Sequence, residues 1–119
     1  MIKVCIFKDT AKLITGYEIS GHADYAPYGK DIVCAAASVL GYTGLNSLME
    51  VAGYKKEQID YKFDDHKGYL SVRVSLIGED DMKTYTQVIF KTFEVGIKSM
   101  IESYPKYITL EYRGGGTNV

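Results

Sequence analysis

His22 and Cys34 are the two side chains of this sequence best suited to act together as base and nucleophile, and both fall in one short segment, GHADYAPYGKDIVCAAAS. The decapeptide from Gly21 to Lys30 carries Pro27 and two glycines and reads as an exposed loop. Asp31 then has the chemistry of a helix N-cap, which places Cys34 at the third helical position. A thiol there faces the positive end of the helix dipole and unpaired backbone N–H groups, both of which favour the thiolate. A neighbouring imidazole could take its proton and later return it to a leaving amine. Asp31 has two competing jobs, capping the helix or orienting His22 as a third catalytic member. Ser38, one turn beyond Cys34, either reaches the site or bonds back to the Cys34 carbonyl. The N–H groups of Val33 to Ala35 are expected to serve as oxyanion donors. Gly21 and Gly29 are candidate hinges of the loop, and Tyr25 and Tyr28 candidate apolar contacts for a bound peptide. Taken singly, each has a plain reading: Cys34 as a small residue in an apolar helix, His22 as a loop residue, the glycines and tyrosines as ordinary turn and surface positions.

Rival chemistries fit less well. His22, Asp24, Asp31 and Cys34 lack the paired spacing of a zinc site, and His66 lies in a polar turn with no ligand pattern around it. Gly114 to Gly116 are followed by no helix, so a phosphate cradle is not expected. Cys5 is in no C-x-x-C pair and reads as a buried strand residue. No metal and no cofactor is expected.

Alternation and periodicity supply the elements that must position these residues. Ile2 to Phe7 is apolar on both faces, as a strand covered on both sides would be, and a polar turn leads to a second strand from Leu13 to Ser20. From Asp31 to about Ala52 the sequence is apolar or small around nearly the whole helix, whose Ala35, Ala36, Ala37, Gly41 and Gly44 permit close approach of another backbone or subunit. Ile59, Tyr61 and Phe63, then Leu70, Val72, Val74 and Leu76, read as a second hairpin. Asp80 or Asp81 opens an amphipathic helix that Pro105 ends, and Ile108, Leu110 and Tyr112 alternate as a last strand. The order strand-strand-helix-strand-strand-helix-strand predicts one α+β domain over residues 1–119, a mostly antiparallel or mixed sheet flanked by helices on both faces as an α/β/α sandwich.

Of the 119 residues, 46% are apolar and 24% charged, the composition of a folded soluble domain rather than a disordered chain. A net charge of -1 with no basic block argues against direct nucleic-acid binding. No apolar run suggests a membrane span, the first ten residues do not read as a signal peptide, and two cysteines are too few for a secreted scaffold, so a cytoplasmic protein with free thiols is expected.

The segment holding Gly21-His22-Ala23, with Gly29, Asp31, Ile32, Val33, Cys34, Ala35, Ala36 and Ser38, resembles the signature of the ribosomal-processing cysteine protease family, Prp. The resemblance implies a Cys-His protease in which Cys34 is the nucleophile and His22 the general base and acid, with Asp31 and Ser38 as supporting positions. It implies as substrate the N-terminal extension of bacterial ribosomal large-subunit protein 27, removed before ribosome assembly. It also implies a homodimer whose loop between His and Cys gates the site. A reading of a different class is a noncatalytic ribosome-assembly protein that clamps a peptide, with Cys34 merely packed.

Overall fold

The computed structural model describes residues 1–27 and 30–114. Tyr28 and Gly29, two of the four loop positions singled out above, lie outside the described residues, as does the end of the glycine-rich tail. Among the described residues five strands and two α-helices follow in order, with a short 3-10 turn at Lys56–Gln58 before β3: β1 (Ile2–Lys8), β2 (Ile14–Ser20), α1 (Ile32–Glu50), β3 (Ile59–Asp64), β4 (Tyr69–Val74), α2 (Asp80–Ser103) and β5 (Ile108–Arg113). The sheet order is β3-β4-β2-β1-β5. β1 pairs parallel with β5 and antiparallel with β2, while β4 pairs antiparallel with both β2 and β3. The α+β class and the mixed sheet match the expectation from sequence.

Local chemistry sets the boundaries. Between β1 and β2, Asp9 Oδ1 accepts the N–H groups of Ala11 and Leu13, and Lys12 takes φ 67° to close the turn. Asp31 caps α1. The cap position of α2 is Glu79, which leaves Asp80 and Asp81 in the first turn, where their charges complement the helix dipole.

The placement of the helices differs from the expected sandwich: both lie on the same face of the sheet. Val4 pairs with Ile19 and Ile6 with Tyr17, so these four share a face. On that face the Tyr17 ring stacks on Phe93 of α2 at 3.9 Å and meets Phe90 edge-on at 5.9 Å. The Tyr17 hydroxyl donates to the Gly41 carbonyl of α1. The other face of β1 is closed by long polar side chains instead. The Arg73 guanidinium lies 3.8 Å from the Phe7 ring centroid, and Phe7 is wholly buried. Arginine stems cover apolar surface while their charged ends stay in water, so a strand apolar on both sides needs no second helix.

α1 also differs from one expectation, since at 19 residues it is long and apolar enough to cross a membrane. Its apolar surface is used within the fold. Val33, Ala37, Gly41, Gly44, Leu45 and Leu48 are all buried. At Gly41 an added Cβ would sit 2.7 Å from Leu70 Cδ2 and 2.8 Å from Ile19 Cδ1, and at Gly44 it would strike the Tyr17 hydroxyl. Glycine thus lets α1 lie directly on β2 and β4. This close seating brings the start of α1, with Cys34, beside the end of β2, which runs into Gly21 and His22.

Candidate active site

At the junction of β2 and α1 a cleft of about 750 Å³ opens. His22 and Cys34 both line it, with Ser38 one turn along the helix and His66 and Gly68 from the β3–β4 turn opposite. The Ala23 N–H points at Cys34 Sγ over 3.3 Å, so the backbone immediately after His22 touches the sulfur. His22 and Cys34 thus line one cleft, with the main chain next to His22 in contact with the sulfur.

Asp31 is buried, and both of its oxygens are engaged by backbone. Oδ1 accepts from Val33 N–H and Cys34 N–H, each at 3.0 Å. Oδ2 accepts from Tyr25 N–H at 2.9 Å and Ala26 N–H at 3.4 Å. One carboxylate thus caps α1 and fastens the loop to it, the structural one of its two alternative jobs. Burial raises the Asp31 pKa, but the hydrogen bonds from the backbone of Cys34, Tyr25 and Ala26 outweigh it, and the net shift is downward. These bonds also spoil the site as a metal centre, because Asp31 has turned both oxygens to N–H donors.

Two expectations about the start of α1 require correction. The N–H groups of Val33 and Cys34 go to Asp31 Oδ1, and that of Ala35 to the Asp31 carbonyl at 3.0 Å, so none is a free oxyanion donor. The main-chain donor at the sulfur is Ala23 N–H instead. The Cys34 thiol, moreover, is shifted up, not down. Burial is the main cause; the Ala23 N–H lowers the value, and the negative charges of Asp31 and Asp24 raise it. An upward shift favours the thiol form, so attack by this sulfur would call for an adjacent base to take its proton.

His22 Nε2 lies 2.9 Å from the His66 main-chain carbonyl. A carbonyl only accepts, so this nitrogen carries the proton of the neutral ring and Nδ1 holds the lone pair. The polar turn around His66 had no recognisable pattern in the sequence, since it acts here through its backbone.

The remaining candidates are divided. Gly21 takes φ +92°, and a Cβ there would come within 2.6 Å of the Met1 carbonyl. Ser38 is exposed on the cleft wall. Tyr25 stands away from the cleft, its ring edge-on to Tyr104 and Tyr107 at 5.6 and 5.1 Å. It anchors the loop to the end of α2. Tyr42, which the sequence did not mark out, lines the cleft and donates its hydroxyl to Asp65. Cys5 is buried on the other face, where desolvation raises its pKa.

The chain is similar to known proteins over nearly its whole length. The family model described as Cysteine protease Prp matches residues 1–109. A relative from Staphylococcus aureus, named ribosomal processing cysteine protease Prp, is 32% identical over 113 residues, 95% of this chain and 100% of its own. One of the same name from Mycoplasma genitalium is 34% identical over 90 residues, 76% of this chain and 80% of its own. The crystal structure of the S. aureus protease in complex with a covalently linked product peptide superposes with a TM-score of 0.80 at 31% identity, covering 95% of this chain and 100% of that one. A two-layer α+β fold with a thiol and an imidazole in one cleft, in such company, defines a cysteine protease. The chain belongs to the Prp family.

Proposed function

We propose that this protease removes the N-terminal extension of bacterial ribosomal large-subunit protein 27, using Cys34 as nucleophile and His22 as general base and acid. The observation that supports the reading is the contact of Ala23 N–H, next to His22 in the chain, with Cys34 Sγ in a cleft that both His22 and Cys34 line. That the relatives are ribosomal processing cysteine proteases supports the substrate class.

His22 Nδ1 takes the thiol proton as sulfur attacks the peptide carbonyl, forming a C–S bond and an oxyanion. Ala23 N–H, already at the sulfur, is a main-chain donor available to that oxyanion. The intermediate collapses to a thioester as the C–N bond breaks, and the leaving amine takes the proton from His22. Water then gives a proton to the same imidazole and attacks the thioester, and the thiolate leaves and is reprotonated. Neither step requires a cofactor. Asp31 and Ser38 support the site, Asp31 by holding the loop to the helix, and Gly21 with Gly29 and Tyr28 belongs to the loop that substrate must pass.

The protein is further proposed to act in the cytoplasm, to bind no nucleic acid directly and to work as a homodimer. For the dimer, the support is the outer surface of the helical layer, where Ile32 and Val39 of α1 and Val88 and Val95 of α2 are each more than half exposed.

Incubation with a synthetic peptide carrying the extension tests the reading. Wild-type protein should cleave it, and Cys34→Ala and His22→Ala should lower kcat by about a thousandfold or more. Peptide binding without cleavage by the wild type would favour the noncatalytic clamp.

A further inference from the structure

We infer that the turn between β3 and β4 is the positioning element of the catalytic pair: the His66 main-chain carbonyl holds His22 in its Nε2–H tautomer, and Gly68 is the residue that lets the turn come close enough. The inference rests on the protease reading for its catalytic meaning and on geometry for its substance. Nε2 is 2.9 Å from the His66 carbonyl. Gly68 sits at φ +61°, in the left-handed region, and a Cβ there would overlap the Gly21 carbonyl and stand 3.1 Å from His22 Cε1. Any side chain at position 68 therefore pushes the turn away from the ring it orients. The turn is itself braced, since Gly68 N–H donates to the Asp65 carbonyl at 3.3 Å and Lys67 N–H to Asp64 Oδ1 at 3.2 Å.

A buried carboxylate commonly performs this orienting task, fixing which nitrogen of the imidazole is protonated. Asp31, the carboxylate that the sequence offered for this task, has given both oxygens to backbone N–H groups. A neutral carbonyl fixes the same tautomer without adding a negative charge beside a thiol that must ionise. His66 and Gly68 are thus positioning residues, the first through its main chain alone.

Long-range 1H–15N spectra of the intact, peptide-free protein with 15N-labelled histidine, above the titration range of the ring, test the inference, with His66→Gln assigning the two rings. The wild type should show His22 as the Nε2–H tautomer. Gly68→Ala should shift it toward a mixture with Nδ1–H and lower kcat about a hundredfold with a smaller change in KM. Gly53→Ala is the control: φ is again positive, at +92°, yet nothing lies within 4 Å of the added Cβ, so backbone strain is introduced far from the ring and the tautomer should not move. A wild-type ring protonated at Nδ1, or a folded Gly68→Ala with an unchanged tautomer, would overturn the inference; if Gly68→Ala fails to fold, the wild-type spectrum alone decides. Because that spectrum needs no substrate, an unaltered rate in Cys34→Ala would sink the protease reading while leaving the tautomer result to stand or fall by itself.

Discussion

Burial, with the negative charges of Asp31 and Asp24, pushes the Cys34 thiol up, and this bears on how the residue should behave toward reagents. Asp31→Asn removes the nearer of the two negative charges that raise the thiol, so its pKa should fall and iodoacetamide should modify Cys34 faster at pH 7 than in the wild type. An unchanged or slower rate would mean that Asp31 contributes no electrostatic penalty. In both proteins Cys34 should react faster than Cys5, which is 4% exposed. Asp31 also makes stability depend on pH. Its folded pKa is depressed, so its contribution is fully present above the unfolded value of about 3.9 and is lost as pH falls through the lower folded value. Urea midpoints measured between pH 7 and 3 should therefore drop for the wild type and drop less for Asp31→Asn. Asp31→Ala, which loses the cap outright, should cost about 1–2 kcal/mol at neutral pH, with a greater loss if the loop comes free. The sequence left capping as one of two jobs open to Asp31, because an aspartate before a long apolar helix suits an N-cap, and the hydrogen bonds to Oδ1 show that it caps. The grip of Oδ2 on the loop was not legible, since backbone N–H groups carry no signature in the sequence. The same holds for the His66 carbonyl.

At the level of elements, catalytic geometry depends on how closely α1 lies on the sheet. Gly44→Ala drives a methyl into the Tyr17 hydroxyl, and Gly41→Ala drives one into Leu70 and Ile19. Each should destabilise by about 1–3 kcal/mol, read as a lower urea midpoint at an unchanged slope. Each should also reduce turnover in the protein that remains folded, because a lifted α1 carries Cys34 away from the end of β2. Full turnover in a destabilised variant would show that the site tolerates movement of the helix. Small residues along α1 revealed from sequence that something packs close there. They did not reveal that it is the aromatic cluster of Tyr17, Phe90 and Phe93, which binds both helices to one face. The double-sided apolar character of β1 pointed to a second helical layer for a comparable reason. Phe7 is indeed buried, but its cover is Arg73 of β4, a contact that strand alternation alone does not disclose.

For the whole molecule, element order and class could be read in advance because period-2 and period-3.6 patterns change cleanly along the chain. Sidedness could not, since it depends on which long side chains fold across the sheet. The helical layer leaves Ile32, Val39, Val88 and Val95 facing solvent in a single copy. Light scattering behind size exclusion should give twice the chain mass, and Val39→Lys with Val95→Lys should shift it toward the single chain; a wild type of single-chain mass at micromolar concentration would contradict the proposed dimer. The cysteine protease account as a whole stands or falls on a bond to one sulfur. Acid quenching of the protein during turnover of the extension peptide, followed by intact mass and fragment analysis, should find the amino-terminal fragment attached as a thioester to Cys34 and none on Cys5. Cleavage that proceeds equally well in Cys34→Ala, with no adduct on the wild type, would contradict it.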